Sequence, residues 1–354
     1  MERVEPRTVP VADRLIGPGQ RVFVIAEAGV NHDGALTRAL ALVDAARDAG
    51  ADAVKFQVFD ADELATRAAG AADYQRAAGC APTQRDLLRR LELSDADFAR
   101  IRAHCDATGV LFLATPFGVR DLARLLELAP PAIKLASTDL NHVPLARAAA
   151  ATGLPVIVST GAATYAEIEA ARARWNAWDA ADRLILMHCV SCYPTPVDAA
   201  NLRAIASLHA LSGAPVGFSD HTTSIETGAW AAAAGACVLE KHLTHDRDAA
   251  GPDHAASLEP AAFRAYVARV RAVEAALGSG ALGHGALEND VRVAARRSVV
   301  AAIDLPAGVR LDADLLAVKR PAGGIGPEDF DDLIGRRLAV AVARDTPLVW
   351  SMLL

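Results

Sequence analysis

Pro215-Val216-Gly217-Phe218-Ser219-Asp220-His221, matched twenty-one residues on by Ala236-Cys237-Val238-Leu239-Glu240-Lys241-His242, is the stretch on which the fold is decided. Each is a short apolar run that stops on a charged triplet ending in histidine. Short apolar runs bounded by turn signals read as strands buried on both faces, and the segment between these two is long enough for a helix. Two parallel strands joined by a helix deliver His221 and His242 to neighbouring strand ends on one face. That placement suits a divalent metal.

The same unit recurs outward from this pair. From Val22 onward short apolar segments alternate with amphipathic ones, the pattern of repeated strand-helix units that build a parallel sheet. Eight strands are expected, at 22–28, 53–57, 110–114, 132–136, 155–159, 184–189, 215–219 and 236–240. Leu36, Leu40, Val43 and Ala46 share a helical stripe, as do Leu122, Leu125, Leu126 and Ala129. Gly50, Gly109, Gly153, Gly213 and Gly235 each precede a strand, where a helix end favours a left-handed residue. Eight such units predict an α/β chain whose main part is a closed (β/α)8 TIM barrel ending near Gly280. Beyond a glycine-rich stretch the pattern changes: Ser298–Ile303 and Leu338–Val342 read as strands and Pro327–Ile334 as a short helix. Sixty-odd residues make a small core, so this module is expected to lean on the barrel or on another subunit.

Composition excludes several classes. The 354 residues are 52% hydrophobic and 22% charged, a globular balance, and no apolar stretch approaches a membrane span. A net charge of −7 without a basic run argues against a nucleic-acid surface. Mixed charges through the first fourteen residues are not a secretory signal, so a soluble, cytoplasmic protein is expected. Five scattered cysteines do not suggest disulfides, and Cys189-x-x-Cys192 has no second pair to complete a zinc site.

In such barrels the chemistry sits where the strands end. Those ends are polar here: Glu27, then Asn31 and His32; Lys55 and Gln57; Thr115; Lys134 and Ser137; Ser159 and Thr160; His188, then Tyr193. Two lysines in apolar strands imply an anionic substrate, because a buried ammonium is costly unless an anion compensates it. The alternative is an ion pair with Glu27, Asp139 or Glu240 within the mouth. The hydroxyls of Thr115, Ser137, Ser159 and Thr160 suit a phosphate and a carboxylate together. Two histidine nitrogens leave open positions on an ion, favouring a catalytic Mn, Mg or Zn. His188 is a weaker third candidate, while His104, His209 and His284 read as surface residues.

Taken in order, these residues resemble the sialic acid (N-acetylneuraminate) synthase family, which condenses phosphoenolpyruvate with an N-acetylated hexose. The carriers are Ala26-Glu27-Ala28-Gly29-Val30-Asn31-His32-Asp33-Gly34, Ala53-Val54-Lys55-Phe56-Gln57, Ala114-Thr115-Pro116-Phe117, Ser159-Thr160-Gly161, Tyr193-Pro194-Thr195-Pro196, the two histidine triplets, and Gly251-Pro252-Asp253-His254 leading into Ser257-Leu258-Glu259-Pro260. The C-terminal module resembles the antifreeze-like (SAF) domain of these synthases through Arg297-Ser298-Val299-Val300, Val318-Lys319-Arg320-Pro321 and Leu333-Ile334-Gly335. The resemblance implies an N-terminal extension over 1–20, a barrel over 21–280, a linker over 281–289 and an antifreeze-like, β-rich domain over 290–354. It implies that His221 and His242 bind a divalent metal, manganese first, with magnesium as an alternative. Lys55, Thr115, Lys134, Ser137 and Ser159 would hold phosphoenolpyruvate. Gln57, Tyr193, Asp253 and Arg320 would meet the amino sugar, Arg320 reaching across a domain-swapped homodimer. Glu27 is the candidate for the proton of the attacking water.

Two departures from the family pattern concern the acceptor. Asp139 stands where many members have a glutamate, and Ala162 where methionine is frequent. The acceptor is therefore left among N-acetylmannosamine, a diacetamido sugar of the legionaminic or pseudaminic type, and a non-acetylated sugar. A barrel hydrolase would also use two histidines but leaves Lys55 and Lys134 unexplained. A catalytically silent polysaccharide or spore-coat assembly protein would not require all four side chains.

Overall fold

A computed structural model of the chain describes residues 7–67, 69–70, 83–283 and 285–354. Cys80 and His284 lie outside them. The chain divides into two compact units, Met1–Ser279 and Gly280–Leu354.

The first unit opens on a hairpin, β1 (Val9–Val11) against β2 (Arg14–Ile16). Eight parallel strands follow: β3 (Phe23–Gly29), β4 (Ala53–Val58), β5 (Leu111–Pro116), β6 (Ile133–Leu135), β7 (Val156–Ser159), β8 (Leu184–Cys189), β9 (Val216–Asp220) and β10 (Val238–His242). Their order in space is β5-β4-β3-β10-β9-β8-β7-β6. The end strands β5 and β6 lie side by side, so the sheet curls into a nearly closed (β/α)8 barrel. Among the described residues eight main helices return the chain, from Leu36–Ala49 after β3 to Pro260–Leu277 after β10. Gly50, Gly109, Gly153, Gly213 and Gly235 all have positive φ, as their places before strands require.

The strands are buried on both faces, and alternation sorts their side chains. One set, with Val54, Phe112, Leu186 and Phe218 among its members, packs against the helices. The other fills the barrel: Phe23, Ile25, Leu113, Ile157, Ile185 and Met187, with Val9, Val11 and Ile16 of the hairpin packed beneath them. The hairpin therefore plugs the N-terminal end of the barrel. Its other end is left for polar groups.

In the second unit β11 (Ser298–Ala301) pairs antiparallel with β12 (Leu316–Lys319). Ten buried residues, including Val299, Leu311, Leu333, Leu338 and Leu348, give this unit its own core. The expected strand over Leu338–Val342 is not formed; Leu338 and Val342 each make an isolated bridge instead. Both are buried, but Val340, which a two-residue strand period would turn to the same face, is exposed. The expected helix is a 3-10 turn, Pro327–Asp329, running into Phe330–Leu333.

Candidate active site

The barrel mouth is built from the inward residue at the end of each strand. Glu27 and Lys55 are cross-strand partners on β3 and β4, and Lys55 Nζ lies 2.8 Å from Glu27 Oε2. The same nitrogen donates to Thr115 Oγ1 on β5 at 3.0 Å. Lys134 on β6 donates to Ser159 Oγ on β7 at 2.6 Å and to its neighbour's carbonyl, Leu135 O, at 3.0 Å. Between the lysines sits Glu240 of β10, whose Oε2 is 3.8 Å from each ammonium. Gln57 Nε2 donates to Glu27 Oε1 at 3.3 Å.

The internal ion pair weighed from the sequence is thus the arrangement observed. Two ammonium groups and two carboxylates, all nearly inaccessible to solvent, neutralise one another. They do not share the charge evenly. Burial pushes Glu27 up to about 7, only partly offset by Lys55 and reinforced by Glu240. Burial also opposes ionisation of Glu240, but Lys134 and Lys55 together outweigh it and hold that carboxyl down at about 2. Lys55 is raised because Glu240 and Glu27 overcome its desolvation, whereas burial leaves Lys134 below the ordinary lysine range.

The two histidines stand beside this cluster, their ring centroids 5.6 Å apart. His221 Nδ1 donates to Val190 O at 2.7 Å; a carbonyl only accepts, so the proton is on Nδ1 and Nε2 keeps its lone pair. Ser219 Oγ lies 3.2 Å from that Nε2 and donates to Glu240 Oε1 at 3.0 Å. His242 Nδ1 is buried without a hydrogen-bond partner, 3.7 Å from Asp253 Oδ2. Burial keeps both imidazoles below their ordinary value, His242 further lowered by its neighbour His221. Both are neutral at pH 7, the form that binds a cation. Among the described residues no three His, Cys, Asp or Glu side chains form a full metal cage. His221 Nε2, with its lone pair, and His242 Nδ1, without a partner, are the two nitrogen donors open to an ion whose other positions the protein would leave free.

Tyr193 covers the pair, its ring centroid 4.2 Å from His221 and 6.0 Å from His242. Asp253 closes the other side. A Cβ built on Gly29, which has φ of +52°, would lie 3.2 Å from both Asp253 and Glu27 and 3.4 Å from Gln57, so this glycine lets the three approach. Burial pushes Asp253 up to about 6.

Asp139 and Ser137 lie in the 3-10 turn after β6. Asp139 Oδ2 is buried without a hydrogen-bond partner, and burial pushes its carboxyl up to about 6. Ser137 Oγ is 3.3 Å from Ser191 Oγ, and a Cβ on Gly161 would collide with Ser191 Oγ and Cys189 Sγ at 2.5 Å. Ser191 and Ser219 are polar groups of the mouth that the sequence reading missed. For Ser219 strand alternation alone would have found it.

His188 does not join the site. Its ring stacks on Phe218 at 5.7 Å, and Nε2 donates to Ala200 O at 2.9 Å, on the helix-facing side of β8. Asn31 and His32 are buried beneath the loops: Asn31 Nδ2 donates to Leu243 O and Ser257 Oγ, and His32 Nδ1 accepts from Gly34 N. His104 contacts Asp44, and His209 contacts Ala214 O, both away from the mouth. Arg320 is an exposed residue of the second unit, directly after β12.

Fold and site together define a (β/α)8-barrel enzyme with its chemistry gathered at the C-terminal mouth. The NeuB family model matches residues 42–281 and the SAF domain model residues 296–354; the chain belongs to the NeuB family. It is 37% identical to the N,N'-diacetyllegionaminic acid synthase of Legionella pneumophila over 95% of both chains. It is 32% identical to the N-acetylneuraminate-9-phosphate synthase of Mus musculus, covering 94% of this chain and 92% of that one. A crystal structure of N-acetylneuraminic acid synthetase from Leptospira borgpetersenii, in complex with citrate, superposes with a TM-score of 0.73 at 35% identity, covering 81% of this chain and 95% of that one. No helix among the described residues is long and apolar enough to cross a membrane.

Proposed function

We propose that this enzyme condenses phosphoenolpyruvate with an acetamido sugar to give a sialic-type acid and phosphate. The observation that carries the reading is the pairing of Lys55 and Lys134 around Glu240 directly beside His221 and His242, in a chain of this family. Lys55, Lys134, Thr115, Ser137 and Ser159 bind the phosphate and carboxylate. The two ammonium groups favour these anions.

His221 and His242 hold a divalent cation, manganese or magnesium. Bound there, it supplies Lewis-acid polarisation of the sugar aldehyde. C3 of phosphoenolpyruvate forms the new carbon–carbon bond, a water adds at C2, and the C2–O bond to phosphate breaks. Glu27 takes the proton of that water, a role its position on Lys55 and its rise to about 7 both support. Gln57, Tyr193 and Asp253 orient the acceptor, with Asp139 at the rim. Arg320 of a second copy completes the acceptor side in a homodimer.

For the acceptor, N-acetylmannosamine and a 2,4-diacetamido-trideoxyhexose are the two candidates, the legionaminic relative at 37% identity and the sialic acid synthetase at 35% being similarly related to this chain. A panel of both sugars, read by phosphate release and 2-keto acid formation, tests function and acceptor together. Phosphate release is expected to require both a divalent ion and a sugar; release without sugar overturns the condensation. His221→Ala and His242→Ala are each expected to abolish the activity that EDTA removes and metal restores. Full retention would remove the metal assignment.

A further inference from the structure

We propose that Asp220 and Lys241 are positioning residues: their buried ion pair, behind the barrel wall, fixes His221 relative to His242 and so sets the cation affinity of the pair. This rests on the reading of the two histidines as the cation site and goes beyond it.

Strand alternation puts Ser219 and His221 into the mouth and turns Asp220 outward; on β10 it puts Glu240 and His242 inward and turns Lys241 outward. Asp220 and Lys241 are the last cross-strand partners of the β9–β10 ladder. Lys241 Nζ lies 3.1 Å from Asp220 Oδ2, and neither side chain has any solvent exposure. His221 lies one residue past the end of the ladder. Its main chain keeps one hydrogen bond there, from Thr195 N to its carbonyl.

The ion pair supplies the missing constraint by gripping the residue after His221 at both of its peptide groups. Asp220 Oδ1 accepts from Thr222 N at 2.9 Å, and Lys241 Nζ donates to Thr222 O. Thr227 Oγ1 donates to Asp220 Oδ2 and lies 3.0 Å from Thr222 Oγ1. Below, the Tyr266 ring centroid is 5.5 Å from Lys241 Nζ, admitted by Gly228, where a Cβ would fall 2.2 Å from the ring. His221 is thus held at residues 220 and 222 and by its own Nδ1 on Val190.

Stability does not account for such a pair. Desolvating two charges is expensive, and an apolar pair of similar volume often serves the fold as well or better. An apolar pair would not hold both the N–H and the C=O of Thr222. What the charges add is direction.

The test measures Mn2+ affinity of the full chain from the electron paramagnetic resonance signal of free Mn2+, independently of turnover. The wild type is compared with Asp220→Asn/Lys241→Met, which removes both charges together, and with Thr227→Val, which removes one donor to Asp220. The double variant is expected to unfold cooperatively yet bind Mn2+ about 10–100-fold more weakly. Thr227→Val should bind several-fold more weakly, on the order of a third of the logarithmic loss. KM for phosphoenolpyruvate should stay within about twofold, which a general loss of structure would not allow. Unchanged Mn2+ affinity in either folded variant overturns the proposal, and if the double variant fails to fold, Thr227→Val alone decides. A wild type that binds no Mn2+, or binding untouched by His221→Ala, would instead remove the cation reading and this inference with it.

Discussion

Glu27 and Glu240 share one barrel mouth and the same lysine, yet their carboxyls part by several pH units, because Glu240 has two ammonium groups in reach and Glu27 has Lys55 alone. Linkage turns this into a stability curve. Glu27, raised from 4.5 to about 7, holds its proton more tightly folded than unfolded, so its contribution is complete below pH 4.5 and is lost as pH rises to 7. Glu240, lowered to about 2, contributes above pH 4.5 and is lost as pH falls through 2. Between pH 5 and 7.5 the two do not mask each other. Urea unfolding of wild type and Glu27→Gln should therefore show the wild type losing on the order of 3 kcal/mol relative to the variant across that window; parallel curves would refute the assignment. The charged members of this cluster were legible because a lysine or glutamate inside an apolar run is conspicuous. His188 was misplaced for the opposite reason: Leu184–Cys189 is apolar on both faces, so the run carries no visible alternation to say which way an imidazole points. Lys241 stood in plain sight within its triplet, but its outward turn and its partner Asp220 emerge only from the register of β9 against β10.

At the level of elements, eight apolar runs with glycine before most of them were enough to predict the barrel strands within about two residues, the usual limit for boundaries. The hairpin at residues 9–16 was not legible. Each arm is three residues long, too short for a period, and its apolar side chains are buried by the barrel floor rather than by each other. Similarly β12 was missed in favour of 338–342, whose two buried residues anchor a coil. The hairpin's role is measurable: Ile16 is fully buried among the interior side chains, so Ile16→Ala should destabilise the barrel by about 2–5 kcal/mol. Since the plug and the mouth lie at opposite strand ends, Mn2+ affinity of the folded variant should not move. A shift in cation affinity as large as that of His221→Ala would contradict a purely structural plug.

For the whole molecule, the second unit has a core of its own, so its attachment to the barrel is not explained by a need for shared burial. Arg320 is exposed within its unit, and under the proposed function it meets the acceptor sugar held by a second copy. If Arg320 acts on the barrel of a second copy, two differently disabled chains should repair each other. Each subunit of His242→Ala has a dead barrel but a sound Arg320, and each subunit of Arg320→Ala the reverse. After subunit exchange of equal amounts, half the dimers are mixed and each contains one complete site, so condensation should recover to about a quarter of wild type from two nearly inactive stocks. A chain that used its own Arg320 would leave the mixture as inactive as its components, because neither chain then has a complete site. Size measurement of the mixture separates this from a failure of subunits to exchange, since tagged and untagged chains must co-elute for the null result to count.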